Sequence, residues 1–316
     1  MTGGLSSLFV LEGRLRSGWR AGAYLVSYVV GLLVVQLPIG ILYVALLTLQ
    51  GVGDASELLA AMQPDRLPLW FYFLLKAAEL VMLLPLTYVA RRLLDRRDFA
   101  SLGFRRDRGV GFDLFVGLAL GGVQMLVIFV LGWMGGWLSV GLLGGPALTQ
   151  SLAAGLLAAL LFFLVAVGEE LVFRGYLLVN LREGIGPVLA LALTSLLFGL
   201  FHVLNPNFSL LAWVNITLAG SVLGYGWLTT GNLWLPMAYH FSWNFFQGTV
   251  FSLPVSGVRY GGLLAVTDWG AAPIVTGAAF GPEGGIVGTL ALLSAFPVFW
   301  LWGRLRWRRL EESAIR

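Results

Sequence analysis

Apolar residues run through this chain in long blocks, broken by short polar or Gly/Pro-rich stretches. A helix needs about 20 consecutive apolar residues to cross a hydrocarbon core about 30 Å thick. Eight blocks of that order can be drawn: 21–49, 68–90, 110–138, 148–178, 187–204, 208–228, 233–253 and 285–302. The breaks between them differ in character. Gln50-Gly51 opens a mixed loop over 53–66, and 91–108 is densely charged. Gly144-Gly145-Pro146, Arg182 to Pro187, Asn205-Pro206-Asn207 and Thr229 to Asn232 read as turns, and 254–284 is a Gly-rich loop. The pattern predicts an all-α protein: a polytopic transmembrane helix bundle of about eight spans, forming a single integral-membrane domain over 1–316. Gly117 with Gly121, and Gly220 with Gly224, are spaced to let helices approach closely.

Composition supports this reading. Of 316 residues, 58% are hydrophobic and 11% charged, less than half the charged fraction of about 25% usual in soluble domains. The basic residues are nearly all Arg and gather at block ends: Arg14, Arg16 and Arg20; Arg91, Arg92, Arg96, Arg97, Arg105, Arg106 and Arg108; and Arg304, Arg306, Arg308 and Arg309. Basic flanks mark cytoplasmic ends, and eight spans return both termini to one side, so count and charge agree that both termini are cytoplasmic. The isoelectric point near 9.6 therefore reflects topology and gives no reason to expect a nucleic-acid partner. The expected partner is the lipid bilayer, with anionic head groups facing 91–108. Cysteine is absent, which removes disulfides, a thiolate nucleophile and Cys-based metal sites. The first block is too long for a signal-peptide core. A short, Arg-rich, loop-poor chain of this kind points to a bacterial plasma membrane.

The charges that do not sit at block ends carry the chemistry. Glu169, Glu170 and Arg174 lie inside the fourth block, where each charge costs about 2.5–3.5 kcal/mol or more. Glu170 and Arg174 are four apart with the acid first, the favoured order for a helical ion pair, and read as a structural bridge. Glu169 lies about 100° round the helix and needs another partner. The Arg182–Pro187 turn falls almost midway between Glu169 and His202, so an antiparallel hairpin would bring those two to one depth. The chain's other histidine, His240, shares a helix face with Asn244. Phe198 lies one turn before His202 and reads as packing that shapes the pocket. Lys76 and Glu79, three apart in the second block, read as a neutralised pair or as part of a polar pathway.

A carboxylate with an imidazole suits activation of water as a general base, and an imidazole with an amide suits a developing oxyanion. Glu169, His202, His240 and Asn244 together would suffice to hydrolyse an amide by direct attack of water. A catalytic Zn2+ on Glu169, His202 and His240 is the alternative use of the same donors, although the His-Glu-x-x-His helix that marks zinc peptidases is absent.

Glu169-Glu170-x-x-x-Arg174, Phe198-x-x-x-His202 and His240-x-x-x-Asn244 resemble the three motifs of the CPBP family, the CAAX proteases and bacteriocin-processing (Abi) enzymes. The matching region, about 148–251, is similar to the type II CAAX prenyl endopeptidases. The resemblance implies an intramembrane endopeptidase, glutamate-type or metal-dependent, acting on a peptide or membrane-protein substrate. It implies that Glu169 and His202 activate water, that His240 and Asn244 bind the oxyanion, and that Glu170 and Arg174 hold the site in shape; Gly175 fits the pattern as well. Two other readings compete: a transporter using Lys76, Glu79, Glu169 and Glu170, and a non-catalytic immunity or scaffold protein. A cytoplasmic Arg182 turn would put Glu169 and His202 roughly 20–24 Å away along the helices at 1.5 Å per residue, beyond the midplane.

Overall fold

A computed structural model of the chain describes residues 9–11, 14–142, 145–267, 269–270 and 272–315. Gly144 and the side chain of Arg309 lie outside the described part. The chain packs as two compact units, Met1–Phe99 and Ala100–Arg316.

In the first unit, a two-residue hairpin pairs β1 (Val10–Leu11) with β2 (Arg14–Leu15). Helix α1 (Ser17–Leu49) follows, then the short α2 (Ala55–Ala61) and α3 (Leu69–Val89), which continues as a π-helical turn over Ala90–Leu94. Asp54 caps α2, its carboxylate accepting from the Ser56 amide. Most of the surface of α1 is apolar and exposed, as a helix solvated by lipid requires. Polar groups inside the pair are matched. The Tyr24 and Thr87 hydroxyls are 2.7 Å apart. Glu79 meets Lys76 at 3.0 Å and accepts from the Tyr28 hydroxyl at 2.7 Å, so this charge is closed off within its own helix pair. Asp95, fully buried, sits between Arg20 at 2.5 Å and Arg91 at 2.8 Å. The expectation that 91–108 as a whole faces lipid heads therefore fails at Arg91. A buried carboxylate needs cationic partners, and Arg20 and Arg91 are turned inward to supply them.

The second unit holds α4 (Val110–Met134), α5 (Gly145–Glu170), a π-helix over Leu171–Leu177, α6 (Leu178–Leu200), α7 (Leu210–Thr230), α8 (Trp234–Phe245) with a π-helical end over Phe246–Val250, and α9 (Ile286–Ile315). Between α4 and α5 lies β3 (Ser139–Leu142), antiparallel to β4 (Leu264–Thr267) in the loop before α9. Gly186 breaks α6 with φ 78°, a left-handed value that glycine adopts without strain. The two arms fold back on each other: Phe173 packs on Phe198 at 5.1 Å between ring centroids and Glu169 faces His202. Both pairs are symmetric about Ile185 and Gly186.

Among the described residues, six helices are long and apolar enough to cross a membrane. This differs from eight for two reasons. The continuous stretch Thr149–Leu200 contains the expected fourth and fifth spans on either side of Gly186. The expected seventh, α8, is only 12 α-helical and 5 π-helical residues long. Nearly all of α8 is buried against other helices, so protein packing sets its length and bilayer thickness does not. A multi-pass helical membrane protein is the architecture observed.

Glycines set the depth of α8 against α4. A Cβ on Gly117 would lie 2.7 Å from the Leu235 carbonyl oxygen and 2.8 Å from the Tyr239 amide nitrogen, and one on Gly121 would lie 2.9 Å from the Trp243 nitrogen. The Ser242 hydroxyl donates to the Leu118 carbonyl at 2.6 Å in the same seam. At the basic end, Arg306 is buried and makes 2.9 and 3.0 Å bonds to Asp113 and 2.8 Å bonds to Asp107. The tail arginines are thus not uniformly lipid-facing. Gly117→Ala should destabilise the protein by about 1–3 kcal/mol through forced separation of backbones, whereas Gly111→Ala, whose added Cβ meets nothing within 4 Å, should be neutral in a detergent melt. Equal melting temperatures for the two variants would contradict this packing.

The loop before α9 is pinned by Glu283, which accepts from the Ser256 amide at 2.6 Å and its hydroxyl at 3.2 Å. Burial pushes the Glu283 carboxyl above its ordinary 4.5, with the Ser256 bonds pulling the other way. A raised folded value means the contribution to stability is full below 4.5 and is lost as pH rises through the folded value. Glu283→Gln keeps an oxygen acceptor and removes the titration. Its melting temperature should exceed that of the wild type at alkaline pH, with the gap closing below 4.5. A gap independent of pH would show that Glu283 does not titrate in this range.

Candidate active site

The site is assembled from α5, the far end of α6 and the middle of α8. Glu169 and Glu170 are the last residues of α5, and the π-helix Leu171–Leu177 begins immediately after them. Wider i→i+5 turns of this kind recur at functional sites. Every residue of this stretch is buried. Arg174, within it, donates to Glu170 Oε1 at 2.8 Å and to the Gly220 carbonyl at 2.9 Å, and its guanidinium lies 4.3 Å from the Phe198 ring centroid. Gly220 can offer that carbonyl because α7 crosses α6 closely: a Cβ there would lie 2.9 Å from Ser195 Cα. The Glu170–Arg174 bridge expected from spacing is present.

Glu170 does more than bridge. The same Oε1 lies 2.9 Å from His240 Nδ1. The sequence reading gave His240 no such partner. The available signal was that a buried imidazole needs a group for each ring nitrogen and that Glu170 is one of the few buried acids. With Nδ1–H donated to Glu170, His240 turns Nε2 toward Glu169 Oε2, 3.9 Å away. His202 is held in the same manner. Its Nδ1 donates to the Phe198 carbonyl at 2.8 Å, and its Nε2 also lies 3.9 Å from Glu169 Oε2. Both imidazoles thus turn Nε2 toward one carboxylate oxygen.

The helix carrying His202 ends at Leu200, so His202 sits in the following turn, its amide donating to Gly199 O at 3.1 Å. The sequence had placed it inside a span running to 204. Phe198 packs against both imidazoles, 4.8 Å from His202 and 6.2 Å from His240 between centroids, and fixes their angle. Side-chain exposure grades across the cluster. Glu170 and Arg174 are 0% and 1% exposed, whereas Glu169, His240 and His202 are 14%, 10% and 17%. The inner pair is sealed, and the outer three side chains are each partly exposed, although Glu169 Oε2 itself is buried. Asn244 lies one turn beyond His240, is 6% exposed and makes no side-chain hydrogen bond among the described residues. Three of the four expected groups therefore converge on one point, with the fourth beside them on the same helix face.

The donors are of the types zinc takes, two imidazoles and a carboxylate. Tetrahedral zinc with bonds of about 2.0–2.1 Å sets its ligand atoms about 3.4 Å apart, and the 3.9 Å spacings here are wider. Among the described residues no set of three His, Cys, Asp or Glu is arranged to hold a metal ion. As it stands, the cluster does not fit zinc.

Comparison with known proteins gives one match. Residues 150–246 fit the family model described as type II CAAX prenyl endopeptidase Rce1-like. No curated protein and no solved structure matches the chain. The matched stretch contains Glu169, Glu170, Arg174, Phe198, His202, His240 and Asn244, and these are the residues that the fold gathers at one place. Over residues 150–246, about a third of its length, the chain is similar to the Rce1-like members of the CPBP/CAAX protease family.

Proposed function

We propose that this protein is an intramembrane endopeptidase that hydrolyses a peptide bond with water activated by Glu169 and His202, its catalytic core spanning 148–251. The observation that carries the reading is the placement of Glu169 Oε2 3.9 Å from the Nε2 atoms of both His202 and His240. That gap is too long for a direct hydrogen bond, and in this reading a water set beside the three atoms bridges them. The water gives a proton to Glu169, with His202 Nε2 accepting its second hydrogen bond, and its oxygen attacks the carbonyl carbon. His240, protonated at Nε2 and held through Nδ1 by the Glu170 carboxylate, donates to the developing oxyanion together with the Asn244 amide. Glu169 then passes its proton to the leaving nitrogen, the C–N bond breaks, and an amine and a carboxylic acid leave. The substrate is a peptide or a membrane protein, and the setting is a bacterial plasma membrane with both termini cytoplasmic.

The transporter reading loses support at its main feature, because the Glu79 carboxylate is taken up by Lys76 and the Tyr28 hydroxyl. Glu169→Gln in purified protein should lower kcat by at least about 1,000-fold without changing the melting temperature, the scale expected when a general base is lost from a preorganised site. Glu170→Gln should lower activity about 10–100-fold, as removal of a partner that orients an imidazole does. Cleavage should survive dialysis against a chelator. Full activity in Glu169→Gln would remove the mechanism, and loss on chelation restored by Zn2+ would favour the metal-dependent form.

A further inference from the structure

Far from this site, the ends of α7 and α9 enclose an open groove of about 520 Å³. Thr229 on its wall is nine residues past Gly220, whose carbonyl holds Arg174, or about 13 Å farther along α7 at 1.5 Å per residue. Both membrane-spanning helices finish here, α7 at Thr230 and the apolar part of α9 at Arg308, so the groove lies at the boundary between hydrocarbon and water.

The arginines of α9 divide between two faces. Arg304 and Arg308 are four apart and share a side, and Arg306 points about 160° away from Arg304. Arg306 is neutralised by Asp107 and Asp113. Arg304 and Arg308 line the groove and have no carboxylate partner among the described residues. Among the described residues no acidic side chain lines the groove with them. The Arg304 guanidinium lies 4.4 Å from the Trp300 ring centroid, a stacking contact that orients the side chain and leaves its N–H edge available. Trp307 is fixed from the other side by donating to the Thr229 carbonyl at 2.8 Å. Trp300, Leu301 and Trp307 are 49%, 53% and 49% exposed, so the cationic groove adjoins an apolar, lipid-facing wall.

We infer that this groove is a binding site for the phosphate of an anionic phospholipid, with Arg304 and Arg308 holding the head group and the Trp300 and Trp307 faces receiving the upper acyl chains. A ligand with charge and chains side by side fits a cationic groove that continues into an apolar wall. This inference does not rest on the peptidase reading.

The test uses the full chain in detergent, titrated with phosphatidylglycerol, phosphatidylcholine or inorganic phosphate, with bound lipid counted by native mass spectrometry. The wild type should retain phosphatidylglycerol over phosphatidylcholine, and Arg304→Gln with Arg308→Gln should weaken that binding about 30-fold while leaving phosphatidylcholine unchanged. Lys at both positions should restore most of it. In the unaltered protein, phosphatidylglycerol should raise the melting temperature and inorganic phosphate should not, which keeps the test valid if the double variant misfolds. Equal retention of phosphatidylglycerol by wild type and variant, or an equal shift with inorganic phosphate alone, would overturn the assignment.

Discussion

Glu170 Oε1 accepts from Arg174 at 2.8 Å and from His240 at 2.9 Å, in a place with no exposure to solvent. Three elements depend on that atom. The π-helix after α5 presents Arg174, α7 comes close enough at Gly220 to take the guanidinium's other edge, and α8 is oriented through His240. A buried carboxylate without a cation would be strongly destabilising, and a buried guanidinium without an anion equally so. Each is tolerable only in the presence of the other, so the contact specifies one mutual arrangement of α5, α7 and α8. The partly exposed part of the site, Glu169 with the two imidazoles, lies against that sealed core.

Close backbone approach sets the rest of the geometry. Gly117 and Gly121 let α4 lie against α8, and Gly220 lets α7 cross α6. Small residues at crossings are what membrane helices use where no hydrophobic force separates protein from lipid. α8 is enclosed, with Leu235 to Tyr239 all buried. A helix surrounded by protein has no need to match the bilayer, which is why its 12 α-helical residues suffice and why apolar length misread it as a span.

Legibility in the sequence followed the range of the interaction. Local terms were readable: the Glu170–Arg174 bridge and the Lys76–Glu79 pair from i+4 and i+3 spacing, the Gly186 break from the turn, and the glycine seams from their period. The Glu169–His202 facing pair was also readable, because a hairpin converts sequence symmetry into spatial proximity. Contacts across unrelated stretches were not. Nothing in the spacing of Glu170 and His240 says they touch, and nothing in the arginine runs says that Arg20, Arg91 and Arg306 turn inward to meet Asp95, Asp107 and Asp113. Those choices are made by tertiary packing, where desolvation of a carboxylate outweighs the local preference of an arginine for the interface.

The early end of α6 bears on how such a site meets water. The arm after Gly186 is helical only to Leu200, about 21 Å at 1.5 Å per residue, short of a core about 30 Å thick. If Gly186 stands at one membrane face, the turn that holds His202 lies at bilayer depth. Irregular backbone at that depth is tolerated only where protein covers it or a water-filled cavity adjoins it. Part of the turn is covered: the His202 amide is bonded to Gly199, and the Phe198 carbonyl is taken by the imidazole itself. The partly exposed side chains of Glu169, His202 and His240 would then stand at the same level. The break in the helix and the partial exposure of the site's outer side chains would thus be two consequences of one short arm.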